Sequence, residues 1–341
     1  MQNCNLFYCT IDTSVENPAE RQAPVTPVSP RSVLRHRFHV PDVRIPEGRM
    51  VALPGRGSTY VTDTPGPAVD SPTVVLLHAV GCTGLLTWFP AIDVLAQRFR
   101  VVTLDQRWHG RGIQSEHFSL IDCADDVAAL VDVLDLGPVI VAGYSMGSII
   151  AQRVWRQHPD LTAGLVLCAT TDRFRSTVPE RVFHQSLEIA MLGSRGVSRS
   201  RTAVRASRQA GQAIDLLPRD MHDWVLQEFR STSPWAVGQA VAALGRHHSR
   251  PWLSRIDVPT AVVVPRRDKV LSPANQVALA HRIRGATIHD IDAGHAACVL
   301  EADRFVPALV EAVTTVSARR RDFPGRRPRG AAPGTPSSAS A

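Results

Sequence analysis

Six short runs in this chain of 341 residues have the composition of β-strands buried on both faces of a sheet, and several are rich in β-branched residues. They lie at 73–78, 100–105, 139–144, 163–169, 259–264 and 286–292. Helical patterns separate most of them; the segment from Ser119 to Leu136, for example, begins with a good N-cap and stops at Gly137-Pro138. Alternating strands and helices predict an α/β fold with a mostly parallel central sheet, helices on both faces and right-handed crossovers.

The regions outside this alternation divide the chain. Residues 1–35 are polar, contain four prolines and show no periodicity, so we expect a disordered N-terminal segment. Residues 36–170 and 254–317 hold the predicted α/β core, including an antiparallel edge near its start. Residues 171–253 show helical patterns only, which predicts a helical lid inserted between two core strands. Residues 318–341 are predicted to form a disordered, Arg-rich tail.

Composition limits the possible functions. Hydrophobic residues make up 44% of the chain and charged residues 20%, as in ordinary globular proteins. No run of about 18 apolar residues is present, so no membrane span is expected. The N-terminus lacks the basic and apolar regions of a secretory signal, which favours a cytoplasmic location. Six tail arginines against one aspartate carry +5 of the net charge of +7, so no nucleic-acid partner is expected for the core.

Metal and nucleotide cofactors are not expected. The six cysteines form no CxxC pair or zinc-ligand spacing and are predicted to be reduced structural thiols. The pair His247-His248 has no further ligand pattern around it. The chain also lacks a Gly-rich phosphate loop and a dinucleotide fingerprint.

The run at 139–144 leads directly into Gly143-Tyr144-Ser145-Met146-Gly147, and a helical segment follows at once. A strand, a sharp turn and a helix in this order can present a serine at the apex, with glycines on either side because the flanking backbone comes close. The pattern GxSxG is a weak signal alone. Ser145, Asp268 and His295 all follow predicted strands, however, and ligands of parallel sheets bind at the carboxyl ends of the strands.

Five segments together resemble the α/β-hydrolase fold family, particularly esterase and lactonase members such as 3-oxoadipate enol-lactonases. They are LLHAVG at 76–81, DQRWHGRG at 105–112, GYSMGS at 143–148, IDVPTAVVVPRRDKVLSP at 256–273 and DAGHAACVLE at 292–301. Several of these segments are weak signals individually, but five in the family's order and spacing are a strong signal. The chain departs from the family at Ala79 and Trp108, where glycine is usual.

The resemblance implies a cofactor-independent serine hydrolase acting on a carboxylic ester or lactone. Ser145 would be the nucleophile, His295 the general base and Asp268 the residue that orients the imidazole. Asp172, after the preceding strand, is the alternative acid. The backbone N–H groups of Val80 and Met146 would form the oxyanion hole. Arg107 and His109 lie in a family loop that is mostly structural.

The substrate is not readable from these motifs. Candidate pocket residues are Trp88, Tyr144, Met191, Trp224 and Val270. A C–C bond hydrolase, or a perhydrolase or haloperoxidase-like enzyme, would use the same triad. A non-catalytic ligand-binding protein of this fold is the alternative from another functional class.

The Arg-rich tail generates one prediction. Deletion of residues 318–341 should leave hydrolysis intact, because no predicted catalytic residue lies there. Salt-dependent binding to nucleic acid or anionic lipid that disappears with the deletion would instead show that the tail has a role of its own.

Overall fold

The computed structural model describes residues 44–174, Val182, Gln185 and residues 221–320. The predicted N-terminal segment, Met191, most of the insertion before residue 221 and the tail beyond Arg320 lie outside the described residues. Within the described ranges, no helix is long and apolar enough to cross a membrane.

Eight strands in the described ranges form one sheet in the order β1-β2-β4-β3-β5-β6-β7-β8. The strands are β1 (Gly48–Leu53), β2 (Gly57–Thr64), β3 (Thr73–Leu77), β4 (Arg100–Leu104), β5 (Val139–Tyr144), β6 (Thr162–Cys168), β7 (Thr260–Pro265) and β8 (Thr287–Ile291). Strand β2 is antiparallel to both β1 and β4, and the remaining neighbours are parallel. The predicted α/β fold with an antiparallel edge is therefore confirmed.

Helices cover both faces of the sheet. They are α1 (Gly84–Ala96), α2 (Leu120–Val133), α3 (Met146–Gln157), α4 (His222–Arg230), α5 (Pro234–Gly245), α6 (Pro273–Ala280), α7 (Ala297–Leu300) and α8 (Ala302–Arg319). Alternate residues of β3 divide between the two layers: Val75 and Leu77 pack in the cluster that includes α2 and α3, whereas Val74 and Leu76 pack with α1 and α8. This two-sided burial explains why the sequences of the central strands, such as β3, β5 and β7, are buried along their whole length. Strand β8, at the edge of the sheet, is mostly half-buried, contrary to the prediction for 286–292.

The last helical segment is divided in two, and it ends later than the predicted core. Helices α7 and α8 are separated at Glu301, whose backbone leaves the helical region (φ −133°, ψ 44°). The Glu301 carboxylate turns back instead and accepts a hydrogen bond from the N–H of Gly294 at 2.7 Å. At its other end, α8 continues to Arg319, so residues 318 and 319 belong to a helix rather than to the predicted tail.

The described residues of the predicted lid, 171–253, include α4 and α5. A bridge between Arg173 and His248 joins the two ends of this region, and a short 3-10 turn (Leu253–Arg255) leads from it into the core. The Phe89 ring of α1 meets the Trp224 ring of α4 edge to face, with centroids 5.3 Å apart. A lid function for residues 171–253 remains a prediction.

A buried carboxylate joins the antiparallel edge to the rest of the core. Asp126 on α2 accepts two hydrogen bonds from Arg107 (2.8 and 2.7 Å) and one from Arg56 Nε (2.5 Å). Arg56 lies in the turn between β1 and β2, and Arg107 in the loop after β4. Arg107 therefore has the structural role that the sequence predicted.

Asp126→Asn should lower the free energy of unfolding by about 3 kcal/mol, because two guanidinium groups lose the buried charge that they share. Asp122 also approaches Arg56 (3.9 Å), but its side chain is 43% exposed. Asp122→Asn is the matched control and should cost less than about 1 kcal/mol. Urea unfolding of both variants at pH 7 measures the difference. Equal losses in the two variants would contradict the assigned role of Asp126.

Candidate active site

Ser145 occupies a sharp turn between β5 and α3. Its backbone has φ 52° and ψ −111°, a conformation that residues with a Cβ rarely adopt. The turn has no room for side chains on the flanking glycines: a Cβ on Gly147 would lie 2.0 Å from the carbonyl oxygen of Leu77, and one on Gly143 would lie 2.2 Å from the carbonyl carbon of Gly147. The glycines of the motif are therefore required by close backbone approach.

Asp268 lies in the loop after β7, and its carboxylate is fully engaged. Oδ1 accepts hydrogen bonds from the backbone N–H groups of Val270 and Leu271, both at 2.8 Å. Oδ2 accepts one from Gln276 Nε2 at 3.0 Å and faces His295 Nδ1 at 2.7 Å. The side chain has no exposed surface. Four donors thus hold the carboxylate in one orientation and offset its desolvation.

His295 lies between the other two residues. Its Nδ1 is 2.7 Å from Asp268 Oδ2, and its Nε2 is 3.1 Å from Ser145 Oγ. An ionised carboxylate can only accept, so His295 Nδ1 carries a hydrogen and donates a hydrogen bond to Asp268. In the neutral ring, Nε2 is then free of hydrogen and accepts a hydrogen bond from the serine hydroxyl. The three residues thus form an unbroken chain of hydrogen bonds from a buried carboxylate to a hydroxyl group.

The loop that carries His295 is tied to the site from two sides. The Tyr144 hydroxyl donates to the carbonyl oxygen of His295 at 2.8 Å, and the two rings meet edge to face. On the other side, the N–H of Gly294 bonds to Glu301, whose second oxygen pairs with Arg267. Because Arg267 directly precedes Asp268, this pair joins the Asp268 and His295 loops.

The two predicted oxyanion donors lie in different elements. Met146 is the first residue of α3, so its N–H has no acceptor within the helix, and the helix N-terminus favours negative charge. Val80 lies in the loop that follows β3 and is partly buried. In that loop, Ala79 replaces the usual glycine; its N–H donates to Thr87 Oγ1 at 3.3 Å.

A neutral histidine fixes the start of this loop. His78 Nε2 accepts the N–H of Gln106 at 2.8 Å, and its Nδ1 donates to the carbonyl oxygen of Ala79. Burial lowers the pKa of His78 to about 4, so the ring can accept at neutral pH. Burial likewise lowers the pKa of the adjacent His109 to about 3. His109 Nδ1 is 3.0 Å from the carbonyl oxygen of Arg107, consistent with its predicted structural part.

The second departure from the family's glycines is Trp108, which adopts φ 65°. Its ring stacks on Trp235 of α5, with centroids 4.7 Å apart and an interplanar angle of 30°. The packing of a large aromatic side chain offsets a backbone conformation that glycine would adopt without strain.

The predicted pocket residues are dispersed. Trp88 has no exposed surface and packs against Tyr144 and Phe305, so it is a core residue instead of part of an open pocket. Tyr144 is also buried, and its hydroxyl donates to the backbone of the His295 loop. Trp224 is partly buried against α1, while Val270 is 68% exposed beside Asp268. Met191 lies outside the described residues.

The alternative acid, Asp172, is not the partner of His295. Its carboxylate lies 4.0 Å from Arg282, and its carbonyl oxygen accepts the N–H of Ser249. In the ranges that the structure describes, no group of three or more His, Cys, Asp or Glu side chains could hold a metal ion. Of the six cysteines predicted to be reduced thiols, the four in the described ranges are free: Cys82, Cys123, Cys168 and Cys298. Cys4 and Cys9 lie outside the described residues.

Sequence reasoning missed two residues that hold the site. Gln276, in the first turn of α6, is buried and donates a hydrogen bond to Asp268. The only sequence signal for this contact was that a helix begins a few residues after Asp268. Glu228, on α4, is buried against the loops around Val80, and nothing in its helical pattern distinguished it from an exposed residue.

Comparison with known proteins agrees with this fold. The sequence profile of the alpha/beta hydrolase fold matches residues 72–302. A 3-oxoadipate enol-lactonase of Acinetobacter baylyi is 21% identical over 251 residues, which cover 74% of this chain and 91% of that protein. The crystal structure of an enol-lactonase from Burkholderia xenovorans is 24% identical and superimposes with a TM-score of 0.60, covering 78% of this chain and 100% of that one.

A shorter match is closer in sequence. A Mycobacterium tuberculosis protein provisionally named a non-heme bromoperoxidase is 38% identical over 102 residues, which cover 29% of this chain. The match spans only 38% of that relative's length. The profile match, by contrast, covers more than half of this chain and includes Ser145, Asp268 and His295. The chain therefore belongs to the alpha/beta hydrolase fold family.

Proposed function

We propose that the chain is a serine hydrolase that cleaves a carboxylic ester or lactone through an acyl-enzyme. The observation that carries the proposal is the continuous hydrogen-bond chain from Asp268 through His295 to Ser145. It ends at a serine on a strained strand-to-helix turn, next to the N-terminus of α3. A buried serine that only satisfied a turn would need neither the oriented imidazole nor the strain.

In this mechanism, Ser145 Oγ attacks the carbonyl carbon while His295 Nε2 takes the hydroxyl proton. Asp268 stabilises the imidazolium that forms. The N–H groups of Val80 and Met146 donate to the oxyanion of the tetrahedral intermediate. When the C–O bond breaks, His295 gives its proton to the leaving oxygen; water then attacks the acyl-enzyme by the same steps and releases the acid.

The relatives support the ester and lactone class, because one is named a 3-oxoadipate enol-lactonase. The shorter match to the provisionally named bromoperoxidase favours a second candidate, perhydrolysis. In that reaction, hydrogen peroxide replaces water in the attack on the acyl-enzyme and the product is a peracid. Measuring peracid formation from an ester with and without peroxide distinguishes the two reactions. A C–C bond hydrolase would use the same triad but would act on a substrate in which a C–C bond is cleaved in place of the ester C–O bond.

Ser145→Ala should lower kcat for p-nitrophenyl esters by at least about 10³-fold, because the attacking atom is lost. Labelling by a fluorophosphonate probe should disappear with it. Ser115→Ala removes a hydroxyl that bonds only locally, to the carbonyl oxygen of His117, and is the control. Failure of the wild-type chain to react with the probe would favour a non-catalytic binding protein.

Tyr144→Phe should lower kcat about 3- to 10-fold with KM within about twofold, because the carbonyl of His295 loses its donor and the imidazole is held less firmly. Tyr60→Phe is the matched control: its hydroxyl accepts the N–H of Gly48 in the sheet edge, far along the sheet from β5. Steady-state kinetics on both variants provides the comparison, and an unchanged kcat in Tyr144→Phe would contradict this positioning role.

A further inference from the structure

We infer that Glu228, on helix α4 of the insertion, is a positioning residue for the oxyanion loop, residues 79–83. The inference rests on the proposed function, because Val80 in this loop is a proposed oxyanion donor. It assigns the α4–α5 segment, residues 222–245, a part in the chemical step in addition to any part in covering the substrate.

Both oxygens of the Glu228 carboxylate are engaged by the core. The Thr83 hydroxyl, at the end of the oxyanion loop, donates to Oε2. Arg111, in the loop after β4, donates to Oε1 at 3.0 Å. The side chain of Glu228 is only 9% exposed and Thr83 is fully buried, so the hydrogen bond between them is shielded from water and strengthened. The side chain of Arg111 is 42% exposed, so its ion pair with Glu228 is partly screened. A carboxylate occupied in this way is not available to bind substrate.

Thr83 transmits this contact to the backbone. Its Oγ1 also accepts the N–H of Leu86 at 3.0 Å and thereby caps α1. The next N–H, that of Gly84, donates to Asp105 Oδ1 at 2.8 Å, while Oδ2 of the same carboxylate accepts the N–H of Arg111 at 2.9 Å. The C-terminal end of the oxyanion loop is therefore held between α4 on one side and Asp105 on the other.

The same segment touches the neighbouring backbone at two more points. The hydroxyl of Thr232, just after α4, accepts the N–H of Gly110 at 3.0 Å. Val237 of α5 lies against Gly81, directly after Val80: its Cγ2 is 3.4 Å from the place where a Cβ on Gly81 would be. Gly81 has φ 76°, so the loop turns sharply under this contact. Loss of the Glu228 carboxylate should allow this turn, and the Val80 N–H with it, to shift.

The test compares Glu228→Ala and Glu228→Gln with the wild type. Glu228→Ala should lower kcat for p-nitrophenyl esters about 10-fold or more, since even a small displacement of an oxyanion donor weakens transition-state stabilisation. KM should stay within about twofold. Inhibition by a trifluoromethyl ketone, which forms a tetrahedral adduct with the serine, should weaken by a similar factor. Glu228→Gln keeps an acceptor for the Thr83 hydroxyl, so its kcat and its ketone inhibition constant should lie between those of the wild type and those of Glu228→Ala.

Two controls separate positioning from general destabilisation. Asp63→Asn breaks another partly buried ion pair, with Arg100 (2.7 Å). Arg100 lies beside Thr73 at the start of β3, whereas the oxyanion loop follows the other end of that strand. The Asp63→Asn variant should have a lower midpoint of thermal unfolding. At a temperature where this variant is folded, its kcat and its affinity for the trifluoromethyl ketone should equal those of the wild type. Thr83→Val removes the hydroxyl that donates to Glu228 and should resemble Glu228→Ala, whereas Thr83→Ser keeps a hydroxyl and should recover most of the kcat that Thr83→Val loses.

The outcomes are distinguishable. If the wild-type chain neither hydrolyses esters nor reacts with a fluorophosphonate, the proposed function fails. If the wild type is active and Glu228→Ala keeps kcat and ketone affinity, the positioning role is overturned. A rise in KM alone would overturn it as well and make α4 a wall of the substrate site. If Asp63→Asn lowers kcat as much as Glu228→Ala does, the positioning role is also overturned and Glu228 is a structural residue.

Discussion

The strained backbone of Ser145 is the constraint on which the rest of the site depends. A positive φ at a residue with a Cβ costs about 1–3 kcal/mol and persists only when its surroundings impose it. Here β5 is hydrogen-bonded on both sides, by β3 and β6, and α3 packs on the sheet directly after the turn. The Ser145 N–H also bonds to the carbonyl oxygen of Cys168 at the end of β6. The central sheet thus supplies the rigidity that holds the serine towards His295.

The framework of this site could be predicted from sequence, because its signals are local. A buried strand, flanking glycines and a following helix identify the turn at Ser145, and Asp268 and His295 likewise follow strands. The long-range supports could not be predicted, since periodicity does not show which buried side chains meet. Trp88 is an example: a tryptophan after the oxyanion loop suggested a pocket, yet its ring packs in the core beside Phe305, 217 positions later in the chain.

The helical insertion shows the same division between local and long-range signals. Its helices were predictable from apolar spacing, but the contacts that matter are polar or aromatic and join it to the core. Glu228 reaches Thr83 and Arg111, and Trp235 reaches Trp108. These contacts fasten the α4–α5 segment to two loops at the carboxyl ends of β3 and β4. The segment is therefore fixed to the core next to the proposed site.

The tryptophan pair has a consequence for how this sequence can change over evolution. Glycine at position 108 would relieve the positive φ but remove the ring that stacks on Trp235. A small residue at position 235 would leave Trp108 with the same strain and less packing to offset it, mainly the contact with Phe118. The effects of changes at the two positions are then non-additive. A lineage that acquired Trp108 would come to depend on Trp235, and a return to the family's usual glycine would require compensation 127 positions further along the chain.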